Sequence, residues 1–88
     1  MRKLVILDCR ELNDRVSAHS YLKEIMGFPE YYGRNLDALQ DCLTEMQGCD
    51  VILRFWKESC VAGSYAARIA EEFEEAANAN PRLKIYRE

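Results

Sequence analysis

Three runs of strand-forming residues, Leu4 to Leu7, Val51 to Trp56 and Leu83 to Ile85, are separated by stretches too long for a hairpin. Antiparallel neighbours can be joined by a tight turn, whereas parallel neighbours need a crossover of roughly a dozen residues or more, usually containing a helix. Every connection here has that length, so the strands are expected to be parallel. Such crossovers are right-handed in nearly all proteins, and two in succession moving the same way across a sheet leave their helices on the same side. The expected fold is a two-layer α/β domain spanning residues 1–88, with a three-stranded parallel sheet in the order 1-2-3 and helices packed mainly on one face. A chain of 88 residues has room for one core and not for a second domain.

The connections supply the helices. Asp8 to Asp14 is polar and reads as a link, after which Asp14 or Ser17 can cap a helix whose buried stripe is Ala18, Leu22, Ile25 and Met26, ended by Gly27. His19 lies near that stripe and reads as a hydrogen-bonded packing residue, because catalysis would also need a positioned partner. Gln47 to Asp50 reads as a turn into the second strand, which ends in Phe55 and Trp56; Lys57 to Gly63 has no clear period and room for a short helical turn. Ser64 is placed to cap a long helix with Ala66, Ile69, Ala70, Phe73, Ala76 and Ala77 inside, ending near Asn78 to Pro81.

Phe28 to Met46 is different in character. Pro29 fixes φ in an aromatic-rich turn, Gly33 allows a positive φ, and Asn35 stands where an N-cap belongs. Leu36, Leu39, Leu43 and Met46 then recur at helical spacing. At ~100° per residue, Asp37, Asp41 and Glu45 fall together on roughly the opposite side, with no base between them. Solvated helix faces usually mix signs, and like charges one turn apart repel by a few tenths of a kcal/mol. Only Asp37, in the first turn, gains from the helix dipole. Glu74 and Glu75, near the end of the last helix, oppose that dipole, and Glu75 points away from the apolar stripe.

The acidity is concentrated. Residues 28–47 hold four acids and one base, residues 69–76 four acids and no base, and the remainder seven acids and eleven bases. A nucleic-acid binder needs the opposite sign on its working face, so a cationic partner is expected and nucleic acid is not. No run approaches the ~18 apolar residues of a membrane span, and the amino terminus lacks the apolar stretch of a signal peptide, which makes a cytoplasmic location the expectation. Cys9, Cys42, Cys49 and Cys60 contain no C-x-x-C pair and the single histidine cannot complete a zinc pattern, so no metal or other cofactor is expected and the thiols are read as reduced.

The run from Pro29 to Leu43, Pro-Glu-Tyr-Tyr-Gly-Arg-Asn-Leu-Asp-Ala-Leu-Gln-Asp-Cys-Leu, resembles, nearly position by position, the loop and second helix of the barstar family of ribonuclease inhibitors. The histidine-bearing first helix, the second strand and the Phe73-Glu74-Glu75-Ala76 piece fit the same pattern. The resemblance implies a non-enzymatic inhibitor that plugs the active site of a basic ribonuclease, extracellular or toxin-type and barnase-like, in a one-to-one complex, its acids standing where substrate phosphates would lie. It makes Asp41 the central carboxylate, Tyr31 a residue that stacks on the enzyme's catalytic histidine, and Asp37 and Glu75 partners of further bases. Gly33 and Asn35 shape the loop, and Leu36 and Gln40 complete the partner-binding set. The family has tryptophans where this chain has Gln40 and Met46, and lacks an equivalent of Cys49 and Cys60.

Three other functions compete. Asp37 and Asp41, one turn apart, could lie ~5–6 Å from each other like a hydrolase pair, but a convex helix face offers no pocket to separate their pKa values. A calcium site needs six or more oxygens gathered by a loop, a spacing absent here. An acidic module that binds some other basic protein uses the same face and is the main alternative.

Overall fold

The computed structural model describes residues 2–88, and in it the three apolar runs pair as a parallel sheet. β1 (Lys3–Asp8) lies beside β2 (Cys49–Arg54), and β2 beside β3 (Leu83–Arg87), in the expected order. Val5, Val51 and Ile85 share one row across the sheet, and Ile6, Ile52 and Tyr86 the next. Side chains alternate between faces along a strand. Val5, Leu7, Cys49, Val51, Leu53 and Leu83 are accordingly buried, whereas Leu4, Ile6 and Tyr86 are 62%, 41% and 52% exposed. One face of the sheet carries the core, and the other meets solvent.

The helices are α1 (Arg15–Met26), α2 (Leu36–Thr44), α3 (Trp56–Ser59) and α4 (Tyr65–Ala79). Asp14, not Ser17, caps α1, its carboxylate accepting from the Ser17 N–H at 2.9 Å. Gly27 ends that helix at φ 71, and the N–H groups of Gly27 and Phe28 both reach the Lys23 carbonyl, a termination that requires the left-handed conformation glycine adopts freely. Ser64 caps α4 by accepting from Ala67 at 3.1 Å. Leu22, Leu39, Leu43, Ile69 and Phe73 meet the inner sheet face in one fully buried cluster.

Three connections differ from their sequence-based reading. Asp8 to Asp14 contains a 3-10 turn, Cys9–Leu12, with both end residues buried; the Asp8 carboxylate organises it by accepting from the Arg10 backbone and side chain. Cys49 and Asp50 are strand, not turn, because the Cys49 thiol packs in the core as a small apolar group. Phe55 leaves the strand at φ 60 and Trp56 opens α3, the ladder being completed instead by Trp56 N–H to the Glu88 carbonyl and Glu88 N–H to Leu53. Glu74 also has a local partner that its position against the dipole did not disclose, an ion pair with Arg87 of β3.

All four cysteines are free. Burial pushes the Cys9 thiol up to about 12, with the Cys60 thiol beside it adding to the effect, and burial raises Cys42, Cys49 and Cys60 as well. Thiolates are the reactive form, so this predicts slow labelling. In native protein purified with its thiols protected, half-buried Cys42 and Cys60 should react with an aromatic disulfide reagent before Cys9 and Cys49, and all four should react in denaturant. Peptide mass mapping of the labelled sites checks the order.

Candidate protein-binding face

α2 is held from both ends and from one side. The Asn35 side chain accepts from the Ala38 N–H at 2.7 Å and closes its first turn, as expected. At the other end the buried Asn80 amide donates to the carbonyls of Leu43 and Met46, 3.0 Å each, satisfying groups that a helix terminus leaves free. Leu39 and Leu43 are buried; Leu36 is half-buried, and Met46 lies past the end of the helix, also half-buried. Gln40 faces α4, its amide donating to the Glu72 carbonyl at 3.1 Å and carboxylate at 2.7 Å. The result is a short, pinned rod.

The loop before α2 is anchored just as firmly. Phe28 and Tyr32 are buried with ring centroids 4.8 Å apart, and the Tyr32 hydroxyl lies 2.7 Å from Nδ1 of His19. Nε2 of His19 lies 2.6 Å from the Tyr65 hydroxyl at the start of α4. His19 is thus the packing residue expected of it, and burial, with Arg15 adding, holds its pKa below 6.5. Tyr31, between the buried aromatics, is 88% exposed.

The positive φ falls on Arg34, at 56°, and not on Gly33. Gly33 suits its place for a different reason: a Cβ there would stand 3.1 Å from Ala38 Cβ, a tight contact where the loop passes close to α2. The Arg34 side chain donates to Ser20 Oγ at 3.0 Å, which fixes the left-handed residue to α1.

Asp37, Asp41, Glu45 and Glu75 are exposed, and none forms an ion pair among the described residues. Asp8, Glu30, Asp50, Glu74 and Glu88 each meet a Lys or Arg, whereas exposed Glu11, Glu24, Glu58 and Glu71 are unpaired too, so what distinguishes Asp37, Asp41 and Glu45 is their alignment along one helix. Asp41 and Glu45 border a concavity with Tyr31, Phe28, Cys42 and Met46, so the loop and the helix offer one continuous surface. α4 packs against α2, and Glu75 lies one turn beyond Glu72, the residue that joins them. Asn35, Leu36 and Asp37 border a second cleft with Arg15, Tyr65 and Arg68. Sequence reasoning passed over these last three. Arg68 stands immediately before the all-acid segment, so a charge count by segment hid a cation that shares a cleft with Asp37.

Geometry and charge define a small α/β protein that presents an unpaired acidic helix and an exposed tyrosine on a rigid frame. Among the described residues no helix is long and apolar enough to cross a membrane, and no group of three or more His, Cys, Asp or Glu side chains is arranged to hold a metal ion. The family model described as Barstar (barnase inhibitor) matches residues 2–85, and the chain belongs to that family. It is 42% identical over 79 residues, 86% of each chain, to a Bacillus subtilis (strain 168) protein named "Putative ribonuclease inhibitor YrdF".

Two outcomes follow from the anchors. Replacing Asn35 with Ala removes the α2 cap and should cost about 1 kcal/mol in denaturant unfolding. His19 is neutral in the fold and takes up a proton more readily when unfolded, so its contribution is complete above about pH 6.5 and declines as pH falls toward the lowered folded-state value. Stability measured from pH 7.5 down to 5 should therefore decrease, and His19→Gln should flatten that part of the profile.

Proposed function

We propose that this protein inhibits a basic, barnase-like ribonuclease by inserting the loop and α2 into its active site, one inhibitor domain of residues 1–88 per enzyme, without catalysis of its own and in the cytoplasm. The observation that carries the reading is the set of unpaired carboxylates on a helix fixed at both ends, next to an exposed tyrosine. A ribonuclease active site must hold phosphate with cationic groups, and a rigid row of carboxylates offers those groups substitute anions. Pre-organisation lowers the entropy lost on docking, which is where the caps of α2 and the His19 anchor enter function. Family membership and the name of the Bacillus relative support the same reading.

In this mechanism Asp41 is the central anion, Asp37 and Glu75 pair with flanking bases, Tyr31 stacks on a catalytic imidazole, and Gly33, Asn35, Leu36 and Gln40 supply loop shape and close contact. Gln40 occupies a position that is already tied to Glu72, so it contributes to the interface as part of the α2–α4 junction.

The test is inhibition of barnase-catalysed RNA cleavage at low and moderate salt. Asp41→Ala leaves enzyme cations desolvated and unpaired, and should weaken inhibition by about 3–5 kcal/mol while the fold is retained. Neutralising Glu45, at the edge, should mainly slow association in a salt-dependent way. Equal inhibition by wild type and Asp41→Ala would remove α2 from the mechanism.

A further inference from the structure

The cleft bordered by Arg15, Asn35, Leu36, Asp37, Tyr65 and Arg68 is at odds with a face built only to meet bases. Arg15 and Arg68 are exposed, and neither forms an ion pair among the described residues although Asp37 lines the same cleft. Arg2, Arg10, Arg54 and Arg87 each have a carboxylate, while Arg34 and Arg82, also without an ion pair, donate to the side chains of Ser20 and Gln47. Both guanidinium groups of the cleft are close enough to the Tyr65 hydroxyl to counter the effect of burial on it, Arg15 also through a hydrogen bond. That hydroxyl is held in turn by His19, so the floor of the cleft is fixed. The edge of α4 toward α2 therefore changes sign along its length, from Arg68 through Glu72 to Glu75.

We propose that this cleft receives an acidic side chain of the ribonuclease, which makes the interface bipolar: Asp41 and Glu75 meet enzyme cations, and Arg15 and Arg68 hold a neighbouring enzyme carboxylate. The inference rests on the inhibitor reading above. Two arginines set against a uniformly basic surface would be repelled, even across water. Planar guanidinium groups suit a carboxylate, which they can bind through two parallel N–H donors. An RNA phosphate has similar chemistry, but a polyanion lying here would run against Asp37 within the cleft and Asp41 beyond it. A single carboxylate on a protein avoids that clash. The subsite also continues directly into the proposed interface through Asn35, Leu36 and Asp37, where it would fix register and select among ribonucleases by their acids.

The experiment measures inhibition of barnase by wild type, Arg15→Gln/Arg68→Gln, Arg68→Glu and Asp41→Ala, with melting temperatures to confirm folding. The double neutral variant should raise the inhibition constant about tenfold, and Arg68→Glu at least as much. Acid-to-lysine variants of the enzyme's surface should include one that restores inhibition by Arg68→Glu. If the arginines merely face a basic enzyme, removing them tightens inhibition or leaves it unchanged, and either result overturns the inference while the Asp41 effect stands. Arginine-dependent retention of a 20-nucleotide RNA, without any change in inhibition, overturns it in favour of phosphate. If neither wild type nor Asp41→Ala inhibits, the inhibitor reading fails and this subsite fails with it.

Discussion

The working face depends on one buried imidazole. His19 sits on α1 and bridges the hydroxyls of Tyr32, in the loop, and Tyr65, at the head of α4. A neutral imidazole has one donor and one acceptor nitrogen, so one tyrosine gives a proton to the bridge and the other accepts one. A charged ring would donate at both ends, and both phenolic protons would need other acceptors, that of Tyr32 inside the core. Hydrogen bonding therefore reinforces what burial does to the pKa. With every buried side-chain polar atom satisfied among the described residues, three segments distant in sequence are locked together.

What the lock holds in place is Tyr31 and the entry to α2. The chain alternates buried and exposed aromatics, Phe28 and Tyr32 inside and Tyr31 outside, so the anchors of the loop position the side chain it presents. Arg34 then takes a conformation that L-residues enter at a cost of roughly 1–2 kcal/mol, tied by Ser20. Strain of that size persists only where surrounding contacts determine the path, and here the path runs from the Tyr32 anchor to the Asn35 cap.

Much of this was legible because it follows from local rules. Strand spacing gave the parallel sheet and its order, Asn35, Asp14 and Ser64 announced their helices, and the carboxylate stripe followed from helical angle alone. The failures share a cause in tertiary contact. Phe55 and Trp56 have strand propensity, yet the backbone turns there so that Trp56 and Glu88 can complete the ladder. Gly33 permits a positive φ, whereas its neighbour Arg34 takes the strain and the glycine leaves room beside Ala38. Arg15 and Arg68 lie on different helices, and no count along the chain could bring them into one cleft with Asp37.

The acids of α2 and the way that helix is built explain each other. Asp37, Asp41 and Glu45 repel by a few tenths of a kcal/mol per adjacent pair, and none of them has an ion-pair partner, although Asp37 gains from the helix dipole and shares its cleft with Arg15 and Arg68. Burial of Leu39 and Leu43 contributes about 1.5–3 kcal/mol each, and the Asn35 cap about 1 more. The margin is wide enough for the helix to tolerate its charges without rearranging them. A helix held less firmly could relieve the repulsion by fraying, and its carboxylates would then need to be ordered at the moment of binding. Here the helix that carries them is already capped and packed, so a cationic partner meets a preformed row of anions, whose mutual repulsion is relieved when its charges come between them.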